Sequence, residues 1–330
     1  MTNCRLENTE ILVTGGAGFI GSNLINTLLE QNNRVACLDN FSTGKRRNIA
    51  AFMDHPGFKL VEGDIRDIET CRKAMKGVKF VLHQAALGSV PRSIDDPKTT
   101  NDVNIGGFIN MLIAARDEGV KRFIYAASSS TYGDNYDLPK REENIGKPLS
   151  PYAITKYVNE LYAGIFSDLY GIKTIGLRYF NVFGPRQDPD GAYAAVIPRF
   201  ILNMMKLEQP VINGDGTNTR DFTYIENVII ANQLAAMTEN EEALNKVYNI
   251  ACGEQINLNK LFLTLRDKLT ITNPEIGKIE PVFGNPRIGD VMHSLASIEK
   301  AKKYLDYQPV TEVREGLKYT VEWFVSEYGL

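Results

Sequence analysis

The fold class of this chain is decided by the stretch Glu10-Ile-Leu-Val-Thr14-Gly-Gly-Ala-Gly-Phe-Ile-Gly21. Its first five residues form an apolar run that is typical of a buried strand, and the residues after Gly18 continue at helical spacing. Glycines at 15, 18 and 21 permit a tight turn, a close approach of the backbone to a pyrophosphate, and close packing of the helix on the strand. The stretch therefore predicts a strand, a phosphate-binding turn and a helix.

The same alternation continues outward from this stretch. Short apolar runs predict strands at 34–38, 58–61, 80–82, 123–127 and 174–178, and amphipathic stretches predict helices near 44–54, 67–76 and 98–118. This order is typical of a doubly wound parallel sheet, in which ligands lie beyond the carboxyl ends of the strands. We therefore predict an α/β fold of the Rossmann type.

The strict alternation ends near residue 182, where glycine and proline turns begin to separate shorter elements. We predict that residues 1–181 form a Rossmann domain that binds a dinucleotide. Segments near 222–252 still resemble a helix and a strand of that domain. Residues 182–330 would then form, discontinuously, a smaller mixed α/β lobe for the substrate.

Composition excludes several classes of protein. The chain has 330 residues, of which 43% are hydrophobic and 23% charged, with a net charge of -3. Such a balance provides no polycationic face for nucleic acid or an anionic membrane surface.

There is no apolar run of membrane-spanning length and no leader-like N-terminus, so we expect a cytoplasmic protein. Four dispersed cysteines and three histidines predict neither a disulfide framework nor a metal site.

Two acidic residues at strand ends bear on the cofactor. Asp39 ends the second strand, at the place where an acid receives the adenosine ribose hydroxyls and repels a 2′-phosphate, which favours NAD over NADP. The basic run at 45–47 is the alternative, because it could hold that phosphate. Asp64 ends the next strand and either accepts the adenine amino group or caps the following turn.

Tyr152 and Lys156 are candidates for acid and base chemistry. They are four residues apart on one face of a helix that Ser150 and Pro151 open. A lysine ammonium beside a phenol favours the phenolate, which could take a proton from a sugar or alcohol hydroxyl. Such a pair is common on exposed helix faces, but the glycine turn and the serine run 128–130 favour the catalytic interpretation.

These motifs together resemble the extended short-chain dehydrogenase/reductases, in the NAD-dependent epimerase/dehydratase family, and within it the nucleotide-sugar epimerases. The resemblance covers nearly the whole chain. It is carried by residues 14–21, 83–86, 104, 128–133, 152–156, 178–185, 213–216, 220–221 and 287–290.

The resemblance implies site residues in three groups. The catalytic residues would be Ser128, Tyr152 and Lys156. NAD would be held by Gly15, Gly18, Phe19, Ile20, Gly21, Asp39, Asn40, Asp64, Ile65, Gln84, Ala85, Ala86, Asn104, Lys156 and Phe180. A UDP-sugar would lie against Ser89, Ser129, Ser130, Asn181, Ala195, Val196, Arg220, Arg287, Asp290 and Ser294. The two arginines suit a diphosphate, with a surface ion pair as the alternative for each.

The serine run distinguishes between reactions of this family. Members that are 4,6-dehydratases resemble Thr-Asp-Glu at the places of Ser128, Ser129 and Ser130, and these carboxylates supply the acid and base that remove water. This chain lacks both carboxylates, so the resemblance implies epimerisation at C4. The sugar would be oxidised to a 4-keto form by bound NAD and reduced again on the other face.

The identity of the sugar depends on Ser294. At this position, seven residues past Arg287, epimerases restricted to glucose and galactose typically have a tyrosine that crowds C2, and a serine admits an N-acetyl group. We predict a UDP-N-acetylhexosamine 4-epimerase (UDP-GlcNAc/UDP-GalNAc), similar to bacterial enzymes of surface-polysaccharide pathways. The alternatives are a UDP-N-acetylglucosaminuronate 4-epimerase, a UDP-glucose/galactose 4-epimerase, and a sensor that binds NAD without turnover.

The resemblance also implies a homodimer. In this family the helices near 98–118 and 150–169 pair into a four-helix bundle between two subunits. Apolar residues available for it are Ile105, Phe108, Ile109, Leu112, Leu161 and Ile165. A buried core within one subunit would need the same residues.

Overall fold

The computed structural model describes residues 5–190, 194–285 and 292–329. The strands are β1 (Glu10–Thr14), β2 (Arg34–Asp39), β3 (Phe58–Glu62), β4 (Phe80–His83), β5 (Arg122–Ser128), β6 (Thr174–Tyr179), β7 (Val182–Phe183), β8 (Val211–Asn213), β9 (Thr219–Arg220), β10 (Thr223–Tyr224), β11 (Lys246–Ile250), β12 (Ile256–Asn257) and β13 (Val282–Gly284). The α-helices are α1 (Phe19–Glu30), α2 (Ile68–Met75), α3 (Val90–Asp95), α4 (Pro97–Asn101), α5 (Phe108–Glu118), α6 (Pro151–Tyr170), α7 (Val196–Met205), α8 (Ile225–Met237), α9 (Leu258–Thr270), α10 (Glu299–Leu305) and α11 (Val313–Tyr328).

Seven strands form one parallel sheet in the order β11-β6-β5-β4-β1-β2-β3. The apolar side chains of β1 alternate between two cores, with Ile11 and Val13 on one face of the sheet and Leu12 on the other. A parallel sheet covered by helices on both faces requires such uninterrupted apolar strands. The predicted α/β doubly wound sheet is confirmed, and its strand order reverses between β1 and β4.

The chain after β6 serves two parts of the molecule. The strand β11 returns to the main sheet and pairs with β6. The remaining short strands pair as β7 with β10, β8 with β13 and β9 with β12, and α7 packs against α9 and α11. This arrangement suits the predicted discontinuous second lobe. The division into domains at these boundaries stays a prediction.

Two predicted helices have a different form. Residues 44–54 contain two 3₁₀ turns, Arg46–Asn48 and Ala50–Phe52, because so short a segment has little helical stability of its own and its polar groups bond elsewhere. The backbone N–H of Lys45 and the side-chain amide of Asn48 both donate to the carbonyl oxygen of Ala17. The predicted helix at 98–118 is divided into α4, a π-helical stretch (Asp102–Gly107) and α5.

None of the helices in the described ranges combines the length and the apolar character that crossing a membrane would need.

Candidate active site

The glycine turn after β1 has the geometry that its sequence predicts. Gly15 adopts a φ of 66°, in the left-handed region that disfavours other residues. A Cβ atom on Gly21 would collide with the carbonyl oxygen of Gly15, so the packing of α1 on the turn requires a glycine there. The helix α1 begins at Phe19 without a side-chain cap, which leaves its first N–H groups available to an anion.

A cavity of about 470 Å³, the switch-point cavity, lies where the sheet order reverses. It is lined by all of the residues predicted for catalysis and by thirteen of the fifteen predicted for the cofactor. The residues that it brings together are Gly15, Gly18, Phe19, Ile20, Gly21, Asp39, Asn40, Asp64, Ile65, Gln84, Ala85, Ala86, Lys156, Ser128 and Tyr152. This juxtaposition of a glycine turn, a strand-end acid and an uncapped helix fits an adenine dinucleotide.

Asn104 and Phe180 do not line this cavity. The side-chain amide of Asn104 is buried behind it, where it accepts from the backbone N–H of Leu87 and donates to the carbonyl oxygen of Leu87 and to Thr155 Oγ1. It therefore holds the 85–88 loop and does not face the cavity. Phe180 is fully buried, and its ring packs against Tyr132 at a centroid distance of 5.9 Å. The predicted cofactor contacts of these two side chains gain no support from the cavity lining and stay predictions.

Asp39 ends β2 and lines the switch-point cavity. Its carboxylate accepts hydrogen bonds from the backbone N–H groups of Ala17 and Phe41, at 2.9 and 2.8 Å, and burial raises its pKa. The basic side chains at 45–47 form ion pairs with nearby acids. Arg46 pairs with Glu62, and both Lys45 and Arg47 lie within 4.0 Å of Asp188. Because these ion pairs engage the basic side chains that were the alternative, the described contacts favour Asp39 as the acid for the ribose hydroxyls.

Asp64 closes the following turn, which was one of its two predicted roles, and its contact with adenine stays a prediction. It lines the switch-point cavity, and its Oδ1 also accepts from the backbone N–H of Arg66 at 2.8 Å, which closes the following turn. The guanidinium of Arg66 forms two further bonds to the carboxylate, and Asn40 forms another. Hydrogen bonding to Arg66 is the main reason why the pKa of Asp64 falls to about 2.

The helix α6 presents Tyr152 and Lys156 to the cavity. Ser150 caps this helix by accepting from the N–H of Ala153 at 3.1 Å. Lys156 is buried, its Nζ donates to the carbonyl oxygen of Ala126 at 2.8 Å, and burial lowers its pKa to about 8. The ammonium lies 5.9 Å from the centre of the Tyr152 ring.

The direction of the Tyr152 pKa in the protein without cofactor is opposite to the one expected from a neighbouring ammonium. Burial raises its pKa, and a hydrogen bond with Ser128 opposes that rise only in part. Burial lowers the pKa of Lys156 as well, and the shift at Tyr152 is caused by burial and by Ser128. The predicted fall of the phenol pKa therefore does not arise from this chain alone, and the positive charge of an oxidised nicotinamide would have to supply it.

A second cavity, of about 240 Å³, adjoins the first at Ser128 and Asn181. We call it the serine cavity. Its walls include Ser129, Ser130 and Ser294, which were predicted for the sugar. They also include Phe180, which was predicted for the cofactor, and Lys140, which the sequence analysis did not single out. The hydroxyl of Ser130 donates to Ser128 Oγ at 2.9 Å.

A third cavity, of about 220 Å³, is lined by residues between Asn181 and Leu258 and is called the lobe cavity. It is lined by Ala195 and Val196, and it shares Asn181 and Arg220 with the serine cavity. Ser89 lines none of these three cavities and instead caps α3, where it accepts from the N–H of Arg92. The predicted Arg287 and Asp290 lie outside the described residues.

Asp221 holds in place the segment of the serine cavity that contains Ser294, through a hydrogen bond to Ala296. It is fully buried, and its carboxylate accepts from the backbone N–H groups of Ala296, Cys252 and Gly253 at 3.1 to 3.2 Å. Burial raises its pKa to about 7, against the effect of these hydrogen bonds. Its partners are 31 to 75 residues away in the chain, so no spacing in the sequence indicated this role.

A buried ion pair holds α6 against the sheet. Arg178 on β6 forms two hydrogen bonds to the carboxylate of Glu160, at 2.8 and 2.7 Å, and both side chains are less than 7% exposed. Arg178 also donates to the carbonyl oxygen of Glu142 and lies over the Tyr132 ring. Because Glu160 is one helical turn beyond Lys156, this pair supports the position of the lysine.

A Rossmann sheet with a tyrosine, a lysine and a serine at its switch-point cavity defines an NAD-binding enzyme of the short-chain dehydrogenase/reductase type. The model of the NAD dependent epimerase/dehydratase family matches residues 11–251, and the chain belongs to that family. This match confirms the family resemblance and NAD as the cofactor.

Individual relatives cover nearly the whole chain. It is 40% identical over 316 residues to a putative UDP-glucose 4-epimerase of Methanocaldococcus jannaschii, covering 95% of this chain and 97% of that one. The structure of a UDP-N-acetylglucosamine 4-epimerase from Methanobrevibacter ruminantium, in complex with UDP-N-acetylmuramic acid, superimposes with a TM-score of 0.91 at 37% identity, covering 98% of this chain and all of that one. A Thermotoga maritima UDP-glucose 4-epimerase with UDP-glucose gives a TM-score of 0.89 at 38% identity, covering 97% and 99%.

Proposed function

We propose that this enzyme interconverts the C4 epimers of a UDP-N-acetylhexosamine, UDP-GlcNAc and UDP-GalNAc. A UDP-sugar 4-epimerase that uses NAD is supported by the family and by the names of the three relatives. The sugar differs among those relatives, so the choice of an N-acetyl sugar depends on the walls of the serine cavity.

The composition of the serine cavity is the observation that favours epimerisation over dehydration. This cavity adjoins the switch-point cavity, which Tyr152 and Lys156 line, and the described residues that line it include no Asp or Glu. Removal of water from the sugar needs an additional acid and base, whereas epimerisation needs one proton shuttle and a hydride acceptor. Hydroxyl groups at residues 128–130 are therefore suited to holding a sugar and not to dehydrating it.

The residues of this chain would act on C4 as follows. Tyr152 takes the proton of the C4 hydroxyl as the C4 hydride leaves, and it returns the proton after the 4-keto sugar has turned over. Lys156 stabilises the phenolate, and Ser128 orients the oxygen by hydrogen bonding. Bound NAD supplies the acceptor for the hydride and its source for the return step. The nucleotide, held in the lobe cavity, lets the sugar rotate without leaving.

Ser294 is proposed to make room for the acetamido group. A tyrosine in its place, Ser294→Tyr, is expected to lower kcat/KM for UDP-GlcNAc about 10- to 100-fold because the ring would occupy the space of that group. UDP-glucose, which has only a hydroxyl at C2, should be affected less than about threefold. Steady-state assays with both sugars measure this ratio, and equal losses on both sugars would contradict the assignment.

Proton NMR of the purified protein tests the function directly. The protein is incubated in parallel with UDP-GlcNAc, UDP-glucose and UDP-N-acetylglucosaminuronate, and the anomeric signals of the 4-epimers are followed. Fastest conversion of UDP-GlcNAc supports the proposal, and fastest conversion of UDP-glucose overturns the N-acetyl assignment. An absence of turnover on all three, with NAD bound, would instead support a sensor.

We further propose that two copies pair through α6. Ile154, Leu161, Ile165 and Leu169 are each at least half exposed and lie on one face of this helix. Exposed apolar faces of this kind are typical of subunit contacts. Phe108 and Leu112 are fully buried, so of the two alternatives left open for them the subunit core is the one that applies.

The double variant Leu161→Glu/Ile165→Glu is expected to halve the molar mass in solution, because two carboxylates cannot be buried unpaired in an apolar contact. Light scattering after gel filtration measures this mass. Leu263→Glu is the matched control, since Leu263 is similarly exposed on α9. A wild-type protein that is already monomeric would contradict the proposed pairing.

A further inference from the structure

Three of the side chains proposed to hold the UDP-sugar are attached to one residue that lines none of the three cavities. Asn181, Arg220 and Ser294 all line the serine cavity, and they come from separate parts of the chain. Asp221 is fully buried and is absent from the lining of all three cavities. Its contacts nevertheless reach the segment of each of these side chains.

The backbone of Asp221 holds the first two. Its carbonyl oxygen accepts a hydrogen bond from the side-chain amide of Asn181 at 2.9 Å. Asn181 lines all three cavities and has a φ of 34°, a strained conformation that surrounding contacts must maintain. Arg220 lines the serine and lobe cavities and directly precedes Asp221, so the position of Asp221 determines where the arginine side chain begins.

The carboxylate of Asp221 joins two segments that are far apart in the sequence. Its Oδ2 accepts from the backbone N–H of Gly253, just after β11, and from that of Ala296, two residues beyond Ser294. Its Oδ1 accepts from the N–H of Cys252 at 3.1 Å. One carboxylate therefore connects the end of the main sheet to the segment that contains Ser294.

The same segment is also bonded to β9, immediately before Asp221. The N–H of Ser294 donates to the carbonyl oxygen of Thr219 at 3.1 Å. The guanidinium of Arg220 donates to the carbonyl oxygen of Met292 at 3.2 Å. A displacement of Asp221 would therefore move the arginine and the serine together.

Stability does not explain a carboxylate at this position. Burial raises the pKa of Asp221 from 3.8 to about 7, against the effect of the backbone N–H groups. Because this pKa is higher in the folded protein than in an unfolded chain, ionisation of Asp221 lowers stability as the pH rises from 3.8 to about 7. A buried acid that is retained at such a cost indicates a functional requirement.

An amide side chain could not make the same contacts. Asparagine offers one oxygen and one amino group, whereas the donors at this place face both oxygens of Asp221. With the amide oxygen in the place of Oδ2, the N–H of Cys252 faces the amino group and loses its acceptor. In the opposite orientation, the N–H groups of Gly253 and Ala296 both lose theirs.

We propose that Asp221 is a positioning residue for the UDP-sugar, which holds the backbone around Arg220 and Ser294 in the arrangement that binds the substrate. The inference rests on the proposed epimerase function and adds a residue that acts through others. The hydrogen bonds of its carboxylate and carbonyl oxygen go to groups other than Tyr152 and Lys156. Binding of the sugar nucleotide, and not the proton transfer, should therefore depend on Asp221.

Asp221→Asn tests this separation. The variant is expected to raise the KM for UDP-GlcNAc about 5- to 50-fold, because at least one buried N–H loses its acceptor and the attached segments shift. The kcat should change less than about threefold. Turnover by NMR measures both constants. Calorimetry on the NAD-loaded protein, in a Tyr152→Phe background that prevents epimerisation, measures the dissociation constant of UDP-GlcNAc.

Two comparisons show whether the effect is specific. The dissociation constant of NAD, measured on protein freed of cofactor, should change less than about threefold in Asp221→Asn. Asp267→Asn makes the same change of charge at an exposed position on α9, outside the three cavities, and should leave both ligands unaffected.

Hydrogen exchange of the wild-type protein provides a measurement that needs no variant. Cys252 and Gly253 line none of the three cavities, and Asp221 connects them to the segment of Ser294. Binding of UDP-GlcNAc to the NAD-loaded protein should slow exchange at residues 252–253 as well as at 294–296, because the ligand stabilises the segments that the carboxylate joins. Slower exchange at 294–296 alone would contradict the inference.

The outcomes distinguish this inference from the proposed function. Equal weakening of UDP-GlcNAc and NAD by Asp221→Asn, a loss confined to kcat, or unchanged binding of UDP-GlcNAc overturns the inference and leaves the proposed function intact. If the variant does not fold, hydrogen exchange of the wild-type protein decides. If UDP-GlcNAc binds without turnover, the proposed reaction fails, and selective weakening of its binding in the variant still supports the positioning role. A wild-type protein that binds neither UDP-GlcNAc nor UDP-glucose overturns both.

Discussion

Replacing Tyr152 with phenylalanine is expected to lower kcat for epimerisation about 10²- to 10⁴-fold, the range that a positioned acid and base contributes. Tyr152 lines the switch-point cavity together with Lys156 and Ser128, and Ser128 also lines the serine cavity. Only the phenol oxygen is removed, so binding of NAD and of the UDP-sugar should be nearly unchanged. Turnover by NMR and binding by calorimetry measure the two effects separately.

The pH profile gives the same prediction a second readout. Burial raises the pKa of Tyr152 in the protein without cofactor, and the base must be deprotonated to accept the C4 proton. Activity of the wild-type enzyme should therefore rise with pH on its acid limb, and Tyr152→Phe should lose that limb. Tyr157→Phe, on the same helix but outside the three cavities, is the control. Activity of the Tyr152 variant within tenfold of wild type would contradict the assignment.

The largest effect on stability is expected from Glu160→Gln. This substitution leaves the guanidinium of Arg178 buried without its carboxylate, which costs about 3 to 5 kcal/mol of unfolding free energy in comparable buried pairs. The loss arises because the interior cannot replace the water that a charge gives up on burial. Denaturant unfolding followed by circular dichroism measures the change in unfolding free energy.

A double variant provides the control for this prediction. Glu160→Gln/Arg178→Met removes both charges and should recover a large part of the lost stability, because no unpaired charge then remains buried. Asp102→Asn breaks the exposed pair with Lys98 and should change stability little. A double variant as unstable as the single one would show that the hydrogen bond of Arg178 to Glu142, and not the ion pair, dominates.

Local sequence patterns were sufficient for the parallel sheet and for the switch-point cavity. The strands are continuous apolar runs, and the turn after β1 requires glycine for backbone reasons that do not depend on the rest of the protein. The ends of neighbouring parallel strands meet at one edge, so Asp39, Asp64 and Ser128 could be assigned to one cavity from chain order. Tyr152 and Lys156 followed from helical spacing together with the glycine turn and the serine run 128–130.

Patterns of this kind failed where two structures compete for one sequence. The segment 44–54 has helical periodicity but is too short to be stable alone, and contacts with Ala17 determine its two 3₁₀ turns. Likewise, apolar residues of α5 and α6 suit either a core or a subunit contact. Only packing in three dimensions separates buried Phe108 from exposed Leu161.

The amino-acid sequence by itself thus determined the fold class, the family and the cofactor, because each depends on residues close together in the chain or on strand order. The tertiary structure alone decided which residues share the serine cavity. Lys140 and Ser294 are 154 positions apart in the sequence, and a backbone bond between Lys140 and Leu295 brings their segments together. The burial and the charge of the side chains in that cavity depend on all of the chain segments that line it, so a local sequence pattern cannot predict them.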